Sequence, residues 1–198
     1  MVKKSGDWSD LLRWMRAGDA CEESRDFVEN WSTSGQDLGV LWDAEDFVQG
    51  EEVLWRIYLL GDLMRAGTLN LIPFGRLLES LQDAVLRTPT FLSMSEEEQE
   101  GWSDYLVAGE GWLHPIRDHG YSDLARLQTL LVQLRNVGRC LGEGDRPELD
   151  NRLYSLCSDL VERDDLMSPL DLRRVLNRAF PWSLVGPALA KEIPEDEG

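Results

Sequence analysis

From the first turn of the chain to its last prolines, apolar side chains recur at three- and four-residue steps and nowhere alternate over a sustained run. That spacing admits helices packed on helices, because a half-buried strand needs a period of two and a run rich in Val, Ile and Thr. Phe74, Leu77, Leu78, Leu81 and Val85 line one such stripe, and Pro73 ahead of them suits a first helical turn. Leu124, Leu127, Leu131, Leu134 and Leu141 make the longest stripe, widened by Leu130 and Val137. After the turn residues 142–147, Leu149, Leu153, Leu156 and Leu160 repeat the spacing, as an antiparallel neighbour would. Residues 51–65 differ, being apolar on nearly every face from Val53 to Met64, which places that helix at the centre of a core.

Helix starts and stops are written between these stripes. Asp7 or Ser9 suits the N-cap of a first helix carrying Leu11, Leu12 and Met15, and Gly18 suits its end. Asp19 with Glu22 and Ser95 with Glu98 both have the spacing of a capping box. Asp37 opens a segment with Leu38, Leu41, Trp42 and Val48. Thr88-Pro89 is read as a stop, and Ser168-Pro169 as a start for Leu172, Val175, Leu176 and Ala179, which ends at Pro181. The expected fold is therefore all-α, an irregular bundle of about eight or nine helices with no sheet. It is expected as one domain over residues 1–186, weakly subdivided near the Gly-rich stretch 108–120, with residues 187–198 as a short, flexible acidic tail.

Charge narrows the partners. Across 198 residues, 20 Lys and Arg stand against 37 Asp and Glu, a net charge of −17 that is spread along the chain. Such a molecule is repelled by nucleic-acid phosphates and anionic lipid, so direct nucleic-acid or membrane binding is not expected. Arg173, Arg174 and Arg178 form a small basic group, but Asp171 and the acidic background oppose any phosphate-tracking role. Nearly all the cations are arginine, the lysines being Lys3, Lys4 and Lys191. A planar guanidinium pairs with carboxylates and stacks on indoles, so intramolecular partners are expected for many of them.

Cys21, Cys140 and Cys157 form neither a disulfide framework nor a zinc-binding pattern. MVKKSGDWSD has no apolar segment after its lysines, and the stretch from Val53 to Met64 is broken by Arg56 and Asp62. These features point to a cytoplasmic protein.

The sequence offers one chemically suggestive loop, between residues 108 and 121. It carries both histidines, His114 and His119, with Glu110, Trp112, Asp118 and Tyr121. Imidazoles with carboxylates are the ingredients of a zinc or non-haem iron site. The five-residue spacing with Pro115 between the histidines differs from the four-residue spacing by which one helix face presents two ligands. No nucleophile elbow, P-loop or dinucleotide fingerprint occurs, and Cys140 and Cys157 sit among leucines like small buried thiols. No catalytic, cofactor or metal residue is therefore assigned.

The eight tryptophans supply the remaining signal. Trp14, Trp42 and Trp55 fall in apolar stripes and are expected in the core. Trp8, Trp31, Trp102, Trp112 and Trp182 fall at helix ends or in loops and are expected half exposed. Tryptophan is enriched at binding hot spots, which makes the loop carrying Trp112 the expected contact, with Glu110, His114, Asp118, His119 and Tyr121 around it. The resulting expectation is a non-enzymatic regulator, inhibitor or adaptor. It would dock on a protein with a basic surface, in one form covering a nucleic-acid-binding surface by offering carboxylates in place of phosphates. The alternatives are a metal-dependent enzyme built on His114 and His119, or a small-ligand sensor with a Trp-lined pocket.

Overall fold

The computed structural model describes residues 7–18, 22–44, 50–108, 123–161 and 167–192. Among the described residues the secondary structure is helical throughout, eleven helices and no strand. They are α1 (Trp8–Ala17), α2 (Glu22–Ser32), α3 (Leu38–Asp43), α4 (Gly50–Arg65), α5 (Ile72–Leu86) and α6 (Pro89–Leu92), then α7 (Glu96–Ala108), α8 (Asp123–Glu143), α9 (Arg146–Val161), α10 (Pro169–Ala179) and α11 (Trp182–Glu192).

The helix count exceeds the eight or nine read from periodicity because two prolines start helices where they were read as stops. Thr88 caps α6, its hydroxyl accepting from Phe91 N at 3.3 Å, with Pro89 in the first turn where a missing N–H costs nothing. Pro181 leads into α11, and Pro181 O accepts from Leu184 N at 2.8 Å. Residues 187–192, assigned to the tail, complete α11, and Ala188 and Leu189 on it are buried. The loop expected over 142–147 also contracts. It leaves a turn at Gly144, whose φ of 72° suits a residue without Cβ.

The chain forms two compact units, residues 1–73 with 169–198, and residues 74–168. The chain passes between the units near residues 73 and 168, while most of the stretch 108–120 lies outside the described residues. Periodicity cannot reveal this, because the first unit is assembled from segments about a hundred residues apart in sequence.

In the first unit α4 packs against α2, α10 and α11, while α11 also meets α1 and α3. Ile57, Leu59, Leu60, Leu63 and Met64 of α4 are fully buried, as a helix apolar on most faces requires. Tyr58 is the exception, half exposed on that helix. Asp7 and Asp10 form a capping box on α1, and Asp10, itself buried, also pairs with Arg13 at 2.6 Å.

In the second unit α8 is the hub, meeting α6, α7 and α9. Leu127, Leu130, Leu131, Leu134, Val137 and Cys140 of α8 and Leu149, Leu153, Leu156, Cys157 and Leu160 of α9 are all buried, and the two helices pack along each other. Burial raises both thiols, that of Cys157 to about 12, so they behave as small apolar side chains.

Candidate functional site

All six residues expected at the partner contact, Glu110, Trp112, His114, Asp118, His119 and Tyr121, lie outside the described residues, as does Cys21. Among the described residues, no group of three or more His, Cys, Asp and Glu is placed to hold a metal ion. None of the described helices is long and apolar enough to cross a membrane.

The tryptophans divide differently from expectation. Trp42 and Trp55 are buried, but Trp14 is only partly so, because its indole reaches out to donate to Asp62 Oδ2 at 2.8 Å. Trp102, expected half exposed near a helix end, is buried on the inner face of α7, edge-on to Tyr105. Trp8, Trp31 and Trp182 are partly exposed as expected.

The arginines correct a second expectation. Arg173 is no part of a surface patch but has 0% exposure, and Arg56 of α4 has 1%. Both are drawn inward by the short helix α3, whose last carbonyls have no partner within the helix. Arg173 Nη2 donates to Leu41 O at 2.7 Å, and Arg56 Nη1 donates to Trp42 O and to Asn177 Oδ1, each at 2.9 Å. The Arg56 guanidinium also lies 4.4 Å from the Trp42 ring centroid and 5.7 Å from that of Trp55. Trp42 Nε1 donates to Phe180 O at 2.8 Å, and Trp182 packs on Trp42 with 5.6 Å between centroids. The cluster fastens α3 to α4, α10 and α11.

Surface charge is where one element departs from the others. On α4, α5, α8, α9 and α10 an exposed or partly exposed carboxylate has an arginine three or four residues away. Asp83 pairs with Arg87 at 3.0 Å, Glu143 with Arg139 at 2.6 Å, Glu148 with Arg152 at 2.7 Å and Asp171 with Arg174 at 3.3 Å. Asp62 pairs with Arg65 in the same way. Helix α7 has no Lys or Arg at all, its sequence being EEEQEGWSDYLVA.

Its inward face carries Trp102 and Leu106. Its outward face carries Glu96, Glu100, Asp104 and Val107 at steps of four, four and three, with Glu97 beside them. All five are exposed, Val107 at 86%, and no described residue forms an ion pair or side-chain hydrogen bond with the four carboxylates. Glu98 does otherwise. It closes the expected capping box with Ser95, accepting from Ser95 N at 3.0 Å while Ser95 Oγ accepts from Glu98 N at 3.3 Å.

Helix physics accounts for part of this stripe and not for the rest. Glu96 and Glu97 sit in the first turn, where the helix dipole favours negative charge. Glu100 and Asp104 lie beyond it, and the dipole effect fades within a turn. Glu96, Glu100 and Asp104 instead repel one another at four-residue spacing, at a cost of about 0.2–0.5 kcal/mol per pair. The stripe was legible in the sequence, as a helix with four outward acids and no cation. The capping box that Ser95 and Glu98 spell accounts for Glu98 and leaves the four outward acids without a local role.

No family model matches this chain, and neither does any curated protein or solved structure.

Proposed function

We propose that this protein is a non-enzymatic binding protein that docks on a partner with a basic surface, and that the outward face of α7 makes the contact. The observation that carries the reading is the pair Glu100 and Asp104, exposed on a helix without Lys or Arg and, with Glu96, repelling one another at four-residue spacing in the free protein. Carboxylates that cost the free helix stability gain a favourable role when a Lys- or Arg-rich surface arrives. The net charge of −17 adds a long-range field that would speed encounter with such a partner and weaken as salt is raised.

The deciding experiment is retention of binding proteins from the native host at low and high salt. Three baits are compared: the unchanged protein, a Glu100→Gln/Asp104→Asn variant, and a Glu143→Gln/Glu148→Gln control. The control removes the same charge from carboxylates already paired with arginine. The expected result is a partner held at low salt, released at high salt, weakened by the α7 variant and kept by the control. Retention that ignores salt, or falls equally with both variants, would overturn the assignment to α7. The absence of any retained protein at low salt would overturn the docking reading itself.

A further inference from the structure

No further inference is drawn: the strongest candidate outside α7, the buried cluster of Arg56 and Arg173 with Trp42, Trp55 and Trp182 around the C-terminal end of α3, carries nothing beyond the fold, because its contacts among the described residues all serve to hold α3 to α4, α10 and α11.

Discussion

Gly39, in the first turn of α3, sits against the edge of Trp182. A Cβ built there would lie 2.3 Å from Trp182 Cδ1, 2.8 Å from Trp182 Nε1 and 2.9 Å from Asp37 Oδ1. Asp37 Oδ1 is the N-cap acceptor of Gly39 N and Val40 N, at 2.8 and 3.2 Å, and a shift of a few tenths of an ångström relieves its contact at a small cost to those bonds. The indole cannot withdraw so cheaply, because it packs on Trp42 and its own backbone N–H donates to Asp43 Oδ1 at 2.9 Å. Gly39→Ala therefore displaces the ring.

Overpacking of this kind costs about 1–3 kcal/mol, and losing the Trp42–Trp182 contact adds about 0.5–1.5 kcal/mol. Against this, alanine is favoured over glycine by at most about 1 kcal/mol in a helix interior, and by less in the first turn of a short helix. The net expectation is destabilisation by about 1–3 kcal/mol. The assay is urea denaturation followed by circular dichroism, run as a double-mutant cycle with Trp182→Ala. With the indole gone, the same glycine replacement should become neutral or stabilising. Equal destabilisation in both backgrounds would refute the claim that Trp182 is what requires glycine at this position.

Further outcomes follow from the same contacts. Glu100→Lys places a cation four residues from both Glu96 and Asp104. It should stabilise the free protein by about 0.5–1 kcal/mol in thermal or urea denaturation, while weakening retention of the basic partner. Arg56→Met leaves the buried Trp42 O and the partly buried Asn177 Oδ1 without their donor, and should destabilise by about 2–4 kcal/mol in urea denaturation, at about 1–3 kcal/mol for the buried acceptor and about 1 kcal/mol for the partly exposed one. Ser95→Ala opens the capping box of α7 and should cost about 1 kcal/mol. A thiol reagent at pH 8 should leave Cys157 unmodified in the folded protein and label it after denaturation, since its pKa is raised to about 12. The sign of the linked effect follows. Below about pH 9, the ordinary thiol value, both states keep the proton. Between 9 and 12 only the unfolded chain loses it, so this thiol lowers stability as pH rises through that window.

Local chemistry was readable in the sequence, and where reading failed, the missing information was a partner distant along the chain. The stripe Phe74, Leu77, Leu78, Leu81 and Val85 is buried on α5 as its spacing requires, and Asp7 and Ser95 cap the helices they precede. These are interactions within one or two turns, so residue identity and spacing suffice to specify them. Trp102 shows the limit: its place near a helix start suggested exposure, yet its angular position on α7 turns it inward.

Arg173 shows the limit more sharply. In sequence it resembles its neighbours Arg174 and Arg178, and only the carbonyl of Leu41, 132 positions away, explains why it is buried. The outward face of α7 belongs to both levels. Its charges and the absence of cations are written in residues 96–108. That no described residue pairs with those carboxylates is a property of the assembled surface, where electrostatic compensation depends on distance in space. Helical class, caps and the sign of the charge thus follow from the sequence alone, because they rest on composition and on neighbours three or four residues apart. The two-unit assembly, the buried guanidiniums and the uncompensated face were decided by tertiary structure, which alone determines which distant donors meet which orphaned acceptors.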